Sequence, residues 1–147
     1  MRLLKGGVAA ALAATVLLSL SSVASAQIDQ VTIGQPALQR DGTVTVSLTY
    51  TCDVGVNAAF ANVTVRQVSG HKLANGSGSF FSNFPGVPCT GSPQTFTGIV
   101  VDSFTSFVYK NGRATVSGTF TAFDPDTGQF FDEVIEPVTV RLHKARP

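Results

Sequence analysis

Carboxylates are the densest chemistry in this chain. Asp124, Asp126, Asp132 and Glu133 fall within the segment Asp124-Pro125-Asp126-Thr127-Gly128-Gln129-Phe130-Phe131-Asp132-Glu133. Calcium takes about six to eight oxygen ligands, and closely spaced carboxylates on a tight turn can supply several of them. The D-x-D-x-G opening is that of a calcium loop. The remainder departs from it, because Pro125 and two phenylalanines stand at liganding positions and no helices flank the segment. The same Asp, Pro and Gly also suit an ordinary turn chosen for its backbone geometry. No metal or other cofactor is expected on this reading, and the four carboxylates are the residues that would hold an ion if one binds.

Nucleophilic catalysis has less to work with. A hydrolase of the Ser/His/Asp kind needs a histidine held beside its nucleophile. The two histidines are His71, in an expected loop after Gly70, and His143, expected in a tail beyond the last strand. No G-x-S-x-G occurs. Zinc and copper sites need clustered His and Cys, and the histidines are dispersed. An extracellular hydrolase without a recognisable motif remains an alternative. It requires Asp102, Asp132 or Glu133 to meet His71 in one pocket.

Eleven phenylalanines stand beside only Tyr50 and Tyr109, and tryptophan is absent. Phe80, Phe81 and Phe84 surround one Gly/Ser/Asn/Pro loop, and Phe104 and Phe107 another. Exposed, they would form an apolar patch for a partner; turned inward, they would plug the ends of a β domain. Phe80, Phe81 and Phe84 are the nominal binding residues. The scarcity of Trp and Tyr argues against a sugar-stacking groove.

The chain around these residues divides at Ala26. Arg2 and Lys5 precede an apolar stretch from Val8 to Leu20, and Ala24-Ser25-Ala26 supplies the small residues of a cleavage site. That is the pattern of a secretory signal peptide over residues 1–26. The apolar run is too short to span a bilayer, which takes about 20 residues. Residues 27–147 are then one exported domain with no membrane span. They carry eight Lys and Arg against nine Asp and Glu, a formal charge of −1. This balance argues against a nucleic-acid binder, which usually shows a basic patch or stripe. In an oxidising compartment Cys52 and Cys89, the two cysteines of the chain, are expected to pair.

The elements are strands. Val44, Val46, Leu48, Tyr50 and Cys52 alternate with Thr and Ser after an Asp41-Gly42 turn, the period of a strand with one buried face. Ala59, Ala61, Val63 and Val65 alternate within residues 58–67, and Ala114, Val116, Gly118, Phe120 and Ala122 within 113–123. Further strands are expected over 30–33, 72–81, 94–101 and 130–142. Pro137 in the last of these implies an edge or a bulge. About seven short strands with turn signals between them, and no βαβ alternation, predict an all-β, antiparallel two-sheet immunoglobulin-like sandwich. The disulfide should tie the end of the Cys52 strand to the loop before Gln94.

The run Asp41-Gly42-Thr43-Val44-Thr45-Val46, then Tyr50-Thr51-Cys52, Val63-Thr64-Val65-Arg66-Gln67, Cys89-Thr90-Gly91-Ser92-Pro93-Gln94-Thr95-Phe96 and Asn111-Gly112-Arg113-Ala114-Thr115-Val116 resembles small secreted immunoglobulin-like proteins of actinobacterial type, a family of unknown function. The resemblance covers nearly all of residues 27–147. It implies a sandwich, export and the Cys52–Cys89 pair, and it supplies no catalytic or binding residues. The sequence therefore points to a secreted, non-catalytic binding or structural module. Its expected partner is an extracellular protein or a cell-wall component, and its alternatives are the hydrolase and a calcium-stabilised surface module.

Overall fold

A computed structural model of the chain describes residues 28–81, 85–102 and 108–144. The expected signal peptide lies outside the described residues, as do Phe84, Phe104 and Phe107. Among the described residues the strands are β1 (Ile28–Ile33), β2 (Ala37–Leu38), β3 (Val44–Cys52), β4 (Asn57–Ser69), β5 (Lys72–Phe81), β6 (Val87–Pro88), β7 (Gln94–Asp102), β8 (Gly112–Asp124) and β9 (Gln129–Lys144).

Strand β3 closes the wall. One of its edges pairs with β7 from Val44↔Val100 to Tyr50↔Gln94, and β1 and β2 share the other. β2 also pairs in parallel with β9 through Ala37↔His143 and Leu38↔Lys144. From β9 the ladder continues through β8, β4 and β5 back to β7. Seven strands thus form a closed barrel, with β1 and β6 added on β3 and β4.

This overturns the two-sheet immunoglobulin-like sandwich. A sandwich packs two separate sheets face to face. Here the β3–β7 and β2–β9 ladders join what would be separate sheets into one wall. Inward and outward residues alternate along a barrel strand as they do along a sandwich strand. Alternation reports one buried face and is silent about closure.

The alternation itself is as the sequence indicates along β3, where Val44, Val46, Leu48, Tyr50 and Cys52 are buried and the intervening Thr and Ser are half-buried. Along β8, Ala114, Val116, Phe120 and Ala122 face the core. β4 differs at one residue. Ala58 pairs with Ala122 and Phe60 with Thr121, so Ala59 is an extra residue, and Ala58 rather than Ala59 joins Ala61, Val63 and Val65 inside. A bulge of this kind inserts one residue and resets which side chains face inward. β9 carries another. Val138 pairs with Val116 and Ile135 with Gly118, which leaves Glu136 and Pro137 opposite Ser117 alone. Proline has no N–H for a ladder, and a bulge accommodates it.

Side chains fill the barrel. At one end Tyr50 lies 4.7 Å from the Phe120 ring and 4.9 Å from Phe96, centroid to centroid. Such pairs contribute about 0.5–1.5 kcal/mol each beyond simple burial. Phe80 enters from β5 and lies over Gly98 of β7. A Cβ at position 98 would sit 1.9 Å from the Phe80 ring, so the aromatic and the glycine form one packing unit. Beside this end the disulfide joins Cys52, the last residue of β3, to Cys89, between β6 and β7, with Cα atoms 5.5 Å apart. The Cys89 amide donates to Val56 O at 2.9 Å, which fixes the stapled loop to the start of β4.

Candidate functional site

The barrel is charged at its ends, and the two ends carry opposite signs. One end gathers the β2–β3 turn, the β4–β5 hairpin, the start of β8 and the end of β9. Every described Lys and Arg lies there: Arg40, Arg66, Lys72, Lys110, Arg113, Arg141 and Lys144. The register brings them together, with Ser69↔Lys72, Arg113↔Arg141 and Leu38↔Lys144 as strand partners. The opposite end carries Asp29, Asp53, Asp124, Asp126, Asp132 and Glu133, with Glu136 at the bulge midway along β9. Two acids belong to the basic end by chain position. Asp102 closes β7, and Asp41 lies in the β2–β3 turn. Asp41 Oδ1 accepts from the Thr43 amide at 3.0 Å and from Thr43 Oγ1 at 2.8 Å, bonds that hold its carboxyl below the usual value.

Short hydrogen bonds seal the basic end from within. Gln67, buried near the end of β4, donates through Nε2 to Lys110 O at 2.8 Å and accepts the Lys110 amide on Oε1 at 2.8 Å. Tyr109 is buried beside it, and its hydroxyl donates to Val65 O at 2.7 Å. Two shallow depressions lie around this seal. One, of about 360 Å³, opens at the mouth between Arg40, Asp41, Lys110, Asn111 and Lys144. The other, of about 350 Å³, lies on the outer wall between Arg66, Val68, Arg113, Thr115 and Thr139.

The acidic turn is present but already occupied by its own chain. Asp124 Oδ1 accepts from the Asp126 amide at 2.8 Å and the Thr127 amide at 3.2 Å, and Oδ2 accepts from Thr127 Oγ1 at 2.8 Å. The Thr127 hydroxyl, then the Asp126 amide, depress the Asp124 carboxyl below its ordinary value. Gly128, at φ 73°, donates its amide to Asp124 O and completes the turn. Asp132 accepts from Thr121 Oγ1 at 2.5 Å across β8–β9, and Glu133 is exposed. Among the described residues no three His, Cys, Asp or Glu side chains gather as a metal set.

The other sequence candidates are dispersed. His71 lies in the β4–β5 hairpin at the basic end, whereas Asp132 and Glu133 lie toward the acidic end, so these two acids do not share a pocket with it. His143 belongs to β9, opposite Ala37, rather than to a tail beyond the last strand. Phe80 faces the core at 6% exposure and forms no part of an exposed patch. Phe81 is the last residue of β5, in register with Phe60, and Phe84 lies outside the described residues. The basic end is not evident in the sequence because its members come from four chain segments. Their positions near strand termini were the signal that could have revealed it.

No model of a known protein family matches the chain, and no curated protein does. The resemblance to actinobacterial secreted proteins therefore rests on the motifs alone. Among solved structures, the chain is similar to Northeast Structural Genomics Consortium target SoR45, with 13% identity, a TM-score of 0.48, and coverage of 76% of this chain and 84% of that one. It is also similar to the putative ApaA protein from Bordetella pertussis, with 10% identity, a TM-score of 0.46, and coverage of 79% of this chain and 96% of that one.

Proposed function

We propose that this protein is an exported, non-catalytic binding module that presents the basic end of its barrel to an anionic extracellular protein or cell-wall component. The separation of charge carries this reading. A formal charge near zero, distributed at random, gives little field at any surface. The same charges sorted to two ends give a local potential that attracts anions at one pole. The interior is packed with side chains, which leaves recognition to the outer surfaces and end loops. The Cys52–Cys89 bond fits the oxidising compartment that the signal-like segment addresses. Among the described residues no helix is long and apolar enough to cross a membrane.

Co-sedimentation of the oxidised protein with cell walls of its source organism tests the reading. The parent should bind at low salt and be released as salt rises. A variant with Lys72, Lys110 and Lys144 changed to Glu should stay in the supernatant, and one with Asp126 and Glu133 changed to Lys should still bind. Equal behaviour of the two variants would remove the basic end from any role in recognition.

A further inference from the structure

We infer that the outer wall at the basic end is a receptor for a phosphate group, formed by Arg66, Arg113 and Arg141 with the hydroxyls of Thr115 and Thr139. This rests on the reading of that end as the recognition surface and assigns its ligand chemistry. Three adjacent strands supply the residues. Arg113 of β8 is the direct cross-strand partner of Arg141 of β9, and Thr115 is the partner of Thr139. Arg66 of β4 is the partner of Thr115 on the other side, so it lies diagonal to Arg113. All three arginines alternate with buried neighbours (Val65 and Gln67, Ala114, Leu142) and therefore point outward. Directly opposed side chains have Cβ atoms roughly 5 Å apart, and diagonal ones about 7–8 Å, so Arg113 is within reach of Arg141 on one side and of Arg66 on the other, with Arg141 one strand further from Arg66. The depression between Arg66, Arg113, Thr115 and Thr139 holds about 350 Å³.

Like charges placed directly opposite each other on a sheet are destabilising. None of the three arginines pairs with a carboxylate among the described residues. The wall thus carries an uncompensated repulsion that an anion would relieve. The donor geometry selects the kind of anion. One planar guanidinium fork satisfies a two-oxygen carboxylate. Forks arriving from three strands, with two hydroxyl donors between them, suit a tetrahedral phosphate, whose oxygens lie out of one plane and can be reached from several sides. A phosphate ester, a phosphodiester polymer and a phospholipid headgroup all present that group.

The test titrates the exported, oxidised protein with inorganic phosphate, linear polyphosphate, phosphatidylglycerol or phosphatidylcholine vesicles, and polygalacturonate as the carboxylate polymer. Polyphosphate should bind more tightly than polygalacturonate. Binding to phosphatidylglycerol as well would extend the source to lipid, and its absence would confine it to soluble or polymeric phosphate. Arg66→Gln and Arg113→Gln should each weaken polyphosphate binding about tenfold, the worth of one charge-assisted contact. Arg113→Lys should lose affinity despite keeping its charge. Lys110→Gln and Lys144→Gln, at the mouth, act on the wall only through the shared field and should each cost less affinity than Arg113→Gln. Arg113→Gln should melt no lower than the parent, because it removes a repulsion; a lower Tm would assign Arg113 to structure and overturn the site. Equal losses at the mouth lysines and the wall arginines would overturn the site and leave the basic end as a diffuse binding surface. Equal affinity for polygalacturonate would overturn the choice of phosphate. A parent that binds none of these anions would overturn both this site and the binding reading.

Discussion

The Tyr109 hydroxyl donates to the carbonyl oxygen of Val65 at 2.7 Å, in a space that exists because residue 76 is glycine. A Cβ at position 76 would lie 2.6 Å from the Tyr109 oxygen and 2.3 Å from Val101 O. The second contact is with backbone and cannot swing away. The basic end is therefore sealed by a packing unit drawn from β4, β5, β7 and the segment before β8.

Gly76→Ala should cost about 1–3 kcal/mol through overpacking, and Tyr109→Phe about 0.5–1.5 kcal/mol through the lost hydrogen bond. Urea denaturation of each variant measures both. A Gly76→Ala variant as stable as the parent would mean that the seal is looser than its geometry indicates.

Reduction of Cys52–Cys89 should lower stability by about 4 kcal/mol, the chain-entropy value for a loop of this size (sequence separation 37). Denaturation with and without a reductant gives the difference. The link joins β3 to the segment before β7, strands already paired along their length, so the native barrel itself should keep its β-sheet circular dichroism when reduced.

Stability should fall at both pH extremes, for different residues. The Asp41 and Asp124 carboxyls are held below their ordinary value of 3.8, so their contribution is complete above that pH and is lost as pH falls through the depressed values. Burial raises the Tyr50 phenol above 10.0, so its contribution is complete below pH 10 and is lost as pH rises through the raised value. Thermal melts from pH 2 to 11 should show an acid limb that is shallower in Asp124→Asn and an alkaline limb that is shallower in Tyr50→Phe. Unchanged limbs would detach these residues from the pH response.

Adding calcium or a chelator should leave the Tm unchanged, because the Asp124 carboxylate is already bonded to Asp126 and Thr127. Differential scanning fluorimetry with both additions checks this. A rise in Tm with calcium would mean that the turn opens to give up those bonds.

Much of the wall was legible in the sequence. The alternation along 44–52 and 113–123 indicated the right inward faces, and Pro137 marked a bulge where β9 has one. Closure was not legible, because it depends on β3 using both edges and on the two-residue bridge of Ala37 and Leu38 to β9, and neither leaves a hydrophobic period. Ala59 was misplaced because a one-residue bulge shifts the phase without altering composition. Phe80 carries two readings in the sequence, an exposed patch or an inward plug, and the structure selects the second; the glycine that receives it, Gly98, lies 18 positions away on another strand, so local pattern does not decide. The net charge says nothing of how the charges are arranged, since a sum carries no direction and the bases meet only when four chain segments converge.

The most direct measurement is the salt dependence of cell-wall binding for the parent, the basic-end variant and the acidic-end variant. A binding surface made of clustered cations should give an affinity that falls steeply and linearly in log–log form as salt rises, in the parent and the acidic-end variant alike. The basic-end variant should show no measurable binding at any salt. Salt-independent binding, or binding retained by the basic-end variant, would contradict the assignment of recognition to this pole of the barrel.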